Sequence, residues 1–311
     1  MGIDPLARYS ETASRSAGVV IGSYSTSFGL ACRLLGPRPR RDIENIYALV
    51  RVADELVDGA ARSAGLDPAA VCAQLDRLER ETEQAMATGY STNMVVHAFA
   101  ATARRTAIDT SLTRPFFASM RTDLDVDSHS PDTLAEYIYG SAEVVGLMCL
   151  QVFRAMDGAC AGHDEELVRA ARSLGAAFQK VNFLRDLGAD SADLGRSYLP
   201  GVGPEGLTEP DKRELLADIR RDLAVAKAGM GYLAPPARRA VRLAHDLFLA
   251  LAARLEHVPA AELSRRRVRV PAVQKACIAL AVCAGGRRTR VHGGVQGGAP
   301  GARPAGAAVS R

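Results

Sequence analysis

Residues 179–190 read QKVNFLRDLGAD and end in two carboxylates, Asp186 and Asp190, spaced as D-x-x-x-D; residues 51–59, RVADELVDG, carry the same spacing at Asp54 and Asp58. On a helix, residues four apart stack on one face, and like charges there repel each other. A compensating cation relieves that repulsion by favouring the ionised carboxylates. Hard divalent cations take oxygen ligands, and Mg²⁺ in particular is held by a few carboxylates together with substrate phosphates. The two segments therefore predict a metal-diphosphate site shared by two helices.

The surroundings of each pair sharpen that reading. In RRDIENIYALVRVADELVDG, Ile43, Tyr47, Val50, Asp54, Val57 and Asp58 recur at helical spacing, so the carboxylates continue the apolar stripe and are expected to point inward. Arg51, three residues before Asp54, is within reach of a carboxylate or phosphate. In the later segment Gln179, Asn182, Asp186 and Asp190 line one face with Arg185 beside them. Amide and carboxylate oxygens on one stripe suit a hard cation, with Asn182 and Asp186 as its most direct ligands.

The rest of the chain is helical in pattern. Breaks rich in Pro or Gly fall at LLGPRPRRD, DGAARSAGLDP, SHSPDT, GRSYLPGVGPEGLTEPD and YLAPPARR. Between them run segments of Ala, Leu, Arg and Glu without sustained period-2 alternation, which predicts an all-α protein. SPDTLAEY offers a Ser or Asp cap, and TEPDKRELLADIRRDL is similar, with acids early and arginines late.

The 311 residues suffice for a large core, with 48% hydrophobic and 24% charged residues, an ordinary globular balance. No apolar run is long enough to span a bilayer and the N-terminus is polar, so a cytoplasmic protein is expected. The six cysteines form no C-x-x-C pair and are read as reduced and structural. The net charge is +4, yet residues 284–311 hold five arginines and no acid, leaving −1 for the rest. A nearly neutral body argues against nucleic acid as a partner. Residues 284–311, rich in Gly and Pro, are expected to form a disordered tail behind a catalytic domain of residues 1–283.

Five segments together resemble the squalene and phytoene synthases, the head-to-head branch of the trans-isoprenyl diphosphate synthases. L-G-x-x-x-Q-x-x-N-F-x-R-D-L-x-x-D, from Leu174 to Asp190, resembles one signature helix, YIYGSAEVVGLM (Tyr137 to Met148) another, and YALVRVADELVD the first aspartate-rich motif. YSTSF (Tyr24 to Phe28) and GRSYLP (Gly195 to Pro200) fall where the family has comparable motifs, in the right order. The flavour is that of bacterial phytoene synthases.

The resemblance implies an isoprenoid-synthase fold, a single helical domain around a deep central cavity with the aspartate-rich helices on opposite walls. It implies that two allylic diphosphates bind through Mg²⁺, or Mn²⁺ in its place, and join head to head through a cyclopropylcarbinyl diphosphate. With two geranylgeranyl diphosphates the product is phytoene, released by a final proton loss without NADPH. With two farnesyl diphosphates it is squalene, by NADPH reduction, or dehydrosqualene. Long prenyl chains imply transient peripheral contact with the inner face of a membrane. An inactive relative acting as a scaffold is the alternative of another class, which loss of a motif aspartate would favour; none is lost.

Carried over residue by residue, the resemblance makes Asp54, Asp58, Asn182, Asp186 and Asp190 ligands of Mg²⁺. It makes Tyr47, Arg51, Arg185, Arg196 and Tyr198 diphosphate-binding residues, Tyr137 a cavity phenol facing a carbocation, and Gln179 a substrate-lining amide. Tyr24 stands where many members have the histidine of H-S-x-S-F, so Ser25 and Ser27 are the expected phosphate contacts of that motif. The small residues Gly140, Ser141, Ala142 and Gly146 are read either as packing surface or as room for a prenyl chain, and RRRVRVP, from Arg265, as a solvated basic face in preference to a peripheral contact with anionic lipid. His97, His129, His163, His245 and His257 receive no role.

Overall fold

Proline and short polar caps punctuate the chain into helices. Pro5, Pro37, Pro68, Pro131, Pro210 and Pro235 all stand in the first turn of a helix, where the missing N–H would have no partner anyway. Asp67 accepts from the Ala70 amide at 2.7 Å, while Ser130 with Thr133 and Thr208 with Asp211 close reciprocal capping boxes. The protein is described by a computed structural model covering residues 4–125, 129–156, 162–193, 206–265 and 267–285, with the side chains of 125, 188–193 and 285 left aside.

Fourteen α-helices follow among the described residues: α1 (Pro5–Tyr24), α2 (Thr26–Cys32), α3 (Pro37–Asp58), α4 (Ala60–Ser63), α5 (Pro68–Thr88), α6 (Met94–Thr106), α7 (Thr110–Asp125), α8 (Pro131–Ile138), α9 (Val144–Arg154), α10 (Asp164–Asp193), α11 (Glu209–Gly229), α12 (Pro235–Glu256), α13 (Ala260–Leu263) and α14 (Ala272–Gly285). A π-helical turn, Tyr139–Glu143, joins α8 to α9, and a 3₁₀ turn, Met230–Tyr232, follows α11. No strand forms among the described residues, as the sequence pattern predicts.

The two aspartate-bearing helices belong to different cores. Helix α3 packs with α5, α6, α7 and α9 around Leu49, Leu75, Phe99, Phe116 and Met148. Helix α10 packs with α8, α11, α12 and α13 around Val181, Leu184, Ile219 and Leu255. Helix α9 touches both α3 and α10, so the α8–α9 rod forms the partition from which the two walls rise.

The rod sits close to its neighbours because glycine removes the side chain at the contact. A Cβ on Gly140 would collide with the Pro115 carbonyl and the Ser119 side chain of α7, and one on Gly175 of α10 with the Ala142 carbonyl. Gly146 meets the Ala171 carbonyl in the same way. Backbone thus lies against backbone on both sides of the rod. Of the two readings open for the small residues around Gly140, close packing describes both Gly140 and Gly146. Gly175→Ala is expected to lower stability by about 1–3 kcal/mol through overpacking against the Ala142 carbonyl. A thermal melt unchanged from the parent would refute that contact.

Candidate active site

On α3, Asp54 presents a half-buried carboxylate one turn beyond Arg51. The Arg51 Nη1 lies 3.8 Å from the Asp54 Oδ2, while Nη2 bonds Glu55 and Nε is buried without a partner. The guanidinium also sits 4.5 Å over the ring of Tyr24, a cation–π contact. Tyr24 therefore adds an aromatic contact to the carboxylates that hold Arg51. One turn earlier on α3, burial pushes the Tyr47 phenol up, Arg51 pulling against it, and Ser25 bonds its hydroxyl.

A third carboxylate, absent from the sequence reading, faces this pair. Asp123 of α7 is buried and accepts a hydrogen bond from the Tyr137 hydroxyl at 3.1 Å. Burial raises the Asp54 carboxyl well above its ordinary range; the charge on Asp58 adds to this, Arg51 opposes it, and Asp123 and Glu55 add further. The Tyr137 ring lies 5.1 Å from His129 and 6.2 Å from Phe183 of α10, so one side chain links the first aspartate wall to the second.

On α10, Gln179, Asn182, Arg185 and Asp186 are all half-buried along one stripe. The Asn182 Oδ1 is buried and has no hydrogen-bond partner among the described residues. Asp186 is bracketed by two guanidinium groups, Arg185 with Nε 3.0 Å from Oδ1 and Arg267 with Nε 2.8 Å from the same oxygen. An aromatic cluster spans the space between helices: Phe28 of α2 lies 6.3 Å from Tyr47, 5.5 Å from Phe178 and 5.6 Å from Phe248, and Phe178 stacks on Phe248 at 3.8 Å.

A family profile described as squalene/phytoene synthase matches residues 21–274. The chain belongs to the squalene/phytoene synthase family. Phytoene synthase 1, chloroplastic, of Arabidopsis thaliana is 36% identical over 197 residues, covering 62% of this chain and 45% of that protein. The chain spans about half the length of the curated relatives it matches. Among solved structures, a dehydrosqualene synthase in complex with ligand superposes with a TM-score of 0.73 at 22% identity, covering 92% of this chain and 100% of that one. Squalene synthase HpnC from Alicyclobacillus acidocaldarius gives 0.62 at 19% identity, covering 82% and 96%. At those identities the likeness is one of fold, the squalene synthase fold.

Within that family fold, several expected positions shift in meaning. Asp54 lines the site but Asp58, the last residue of α3, is exposed, because the helix ends there and the side chain reaches the rim. The expectation that both carboxylates point inward is corrected for Asp58. Ser25 caps α2, accepting from the Phe28 amide at 3.1 Å while also bonding Tyr47, so its hydroxyl organises the site's wall. Ser27 is half-buried in the first turn of α2. The Asp190 side chain, Arg196 and Tyr198 lie outside the described residues. Arg267, within RRRVRVP, remains on the solvated face with its side chain 54% exposed, and its guanidinium also meets Asp186.

Another pair gives a control for the charge argument. Asp218 and Asp222 of α11 also form D-x-x-x-D, and Lys180 of α10 bonds both, to Asp222 at 2.7 Å. That pair has its cation built in. Asp54 and Asp58 have Arg51 at 3.8 Å from Asp54 and shared with Glu55. Among the described residues no three His, Cys, Asp or Glu side chains converge as a metal cage. The donors present are carboxylates and an amide, and the orphaned Asn182 Oδ1 is an acceptor awaiting a positive partner. Such a set fits a hard cation that completes its shell with phosphate oxygens and water.

The raised Asp54 predicts a pH dependence. The native carboxyl holds a proton that the unfolded chain releases at its ordinary value of about 4, so metal-free stability falls as pH rises from there to the raised native value. A bound cation reverses that loss. Mg²⁺ is therefore expected to raise the melting temperature more at pH 8 than at pH 5, and Asp54→Asn to shrink that increment. Equal increments at both pH values in the parent protein would contradict the charge argument.

Proposed function

We propose that this protein is a phytoene synthase, joining two geranylgeranyl diphosphates head to head in carotenoid biosynthesis. The observation that carries the reading is a pair of oxygen-donor sites each accompanied by arginine, Asp54 with Arg51 on α3 and Asn182 and Asp186 with Arg185 on α10, linked through Tyr137, which donates to Asp123 and packs on Phe183. The phytoene synthase names of relatives at 36% identity support the C20 substrate. In this reading Asp54, Asp58, Asn182, Asp186 and Asp190 would hold Mg²⁺, or Mn²⁺ in its place. When bound, the metal supplies positive charge that stabilises diphosphate as it leaves.

The chain's own residues do the rest. Arg51, Arg185 and Arg267 are held by carboxylates at 3.8 Å or closer, and a diphosphate entering between them accepts the same guanidinium donors. Tyr47 and, from GRSYLP, Arg196 and Tyr198 join that contact. Departure of the first diphosphate leaves an allylic cation, which the aromatic faces of Phe28, Tyr47, Phe178 and Phe248 and the Tyr137 ring stabilise. The double bond of the second substrate attacks it, and loss of a proton closes a cyclopropylcarbinyl diphosphate. Loss of the second diphosphate, rearrangement to the 1-1′ bond and loss of a last proton give phytoene without a reductant.

Asp123 orients the Tyr137 hydroxyl away from the cation, leaving the ring face toward it. Gln179 lines the substrate on α10. The catalytic unit is residues 1–283, with helix α14 running on to Gly285, and 284–311 as its tail. The reading places the protein in the cytoplasm with transient contact at the inner face of a membrane; no helix among the described residues is long and apolar enough to cross one.

Purified protein with Mg²⁺ and geranylgeranyl diphosphate, without NADPH, is expected to yield a C40 hydrocarbon. Asp54→Ala and Asp186→Ala should each cut turnover by roughly a thousandfold or more, the several kcal/mol that metal-assisted charge stabilisation contributes. Asp123→Asn should spare folding and reduce turnover with little change in KM. A C30 product from farnesyl diphosphate alone would move the assignment to squalene or dehydrosqualene formation, and no product from either would favour the noncatalytic scaffold.

A further inference from the structure

Helix α14 is apolar on both faces. Its inner face sets Ile278 and Val282 against Ala31, Leu243 and Leu247. Its outer face shows Val273, 76% exposed, Ala276, Cys277, Leu280, 70% exposed, and Ala284, at helical spacing. The only polar residues of AVQKACIALAVCAG are Gln274 and Lys275, both half-buried. A helix apolar all round is normally covered on both sides, and at 14 residues this one is too short to cross a bilayer.

Basic side chains border that face: Arg254 reaches Gln274 of α14 at 3.5 Å, and the charge of Arg269 acts on Lys275. From Ser264 onward the chain has ten Lys and Arg and no acid, so with a net charge of +4 the preceding residues carry −6. Beside α14 a recess of about 400 Å³ is lined by Arg254, His257, Val258, Arg267, Val268 and Arg269. Arg254 and Arg269, beside an Arg267 already paired with Asp186, give this open hollow guanidinium donors that suit a phosphate group.

We propose that the outer face of α14 docks on an anionic bilayer, with its apolar side chains in the acyl boundary and lipid phosphate in the neighbouring arginine recess. This gives the membrane contact of the preceding reading a definite surface. Two other occupants fit less well. A twofold pairing of this face would bring Arg254, Arg269 and Lys275 against their own copies, and residues 286–311 are themselves basic with few large apolar side chains. The surface also adjoins the site. Lys275 donates to the Thr26 Oγ1 at 2.7 Å, next to Ser25, and Arg267 reaches both the recess and Asp186. A prenyl chain leaving the bilayer there would meet the site's arginines.

Flotation of the full chain with phosphatidylcholine vesicles, with and without phosphatidylglycerol, tests this in the absence of substrate. Binding is expected with phosphatidylglycerol and to weaken with salt. Val273→Ser and Leu280→Ser should each weaken it about tenfold, and Arg265→Gln and Arg269→Gln about fivefold for each charge removed, with far-UV circular dichroism and melting unchanged. Equal flotation with neutral vesicles, no flotation, or variants that float like the parent would overturn the proposal. So would a dimer in sedimentation velocity that Leu280→Ser dissociates. Flotation without hydrocarbon product would sink the synthase reading and leave the docking face; product formed in detergent by a protein that never floats would do the opposite.

Discussion

Repulsion between carboxylates four residues apart on a helix is the constraint around which this protein is arranged. A helix bearing such a pair needs positive charge nearby. At Asp218 and Asp222 the need is met by Lys180, and the result is an ion-pair cluster that ties α10 to α11. At Asp54 the balance differs: Asp58, Asp123 and Glu55 add negative charge, and Arg51, which opposes it, is shared with Glu55. Negative charge gathered in this way is consistent with the cation proposed for this site.

The same contrast explains the arginines. Arg51, Arg185 and Arg267 each rest on a carboxylate that the proposed reaction gives to Mg²⁺. They are thereby kept in place beside the carboxylates, with Arg51 and Arg185 partly buried. Arginine suits this because its planar fork can exchange a carboxylate for a phosphate without changing shape. Tyr24 serves the same end. Where many family members have histidine, this chain places a phenol ring under Arg51, so a neutral aromatic face steadies the guanidinium and adds no second cation.

How much of this was legible in the sequence follows from the range of each interaction. The all-α class, the Ser130 and Thr208 caps, the α3 stripe and the α10 stripe all rest on contacts within one or two turns, and short-range spacing displays those directly. Asp123 and Arg267 rest on contacts across the fold, to Tyr137 and to Asp186, and neither belongs to a spacing pattern. RRRVRVP reads as a solvated face, and Arg267 is exposed there, yet nothing in its spacing shows that it also reaches Asp186. Asp58 fails for a different reason: periodicity assigns a face to each helical residue but cannot see that the helix stops there. Asp218 and Asp222 show the converse risk, since their spacing equals that of the site pairs and only Lys180 separates a structural cluster from a functional one.

Position along the rod between the two cores completes the picture. Tyr137 ends α8 just before the π-helical turn, and π turns recur at functional sites because they rotate the residues on either side relative to each other. Gly140, Gly146 and Gly175 then bring three backbones into contact around that turn. Backbone contacts have no rotamers to relax, so the rod transmits little slack from α7 to α10. The hydrogen bond from Tyr137 to Asp123 and the ring contact with Phe183 are consequently set by rigid elements on both sides. A carbocation reacts with whatever is nearest, so the proposed reaction, which must choose its bond to form, would gain from walls that cannot yield.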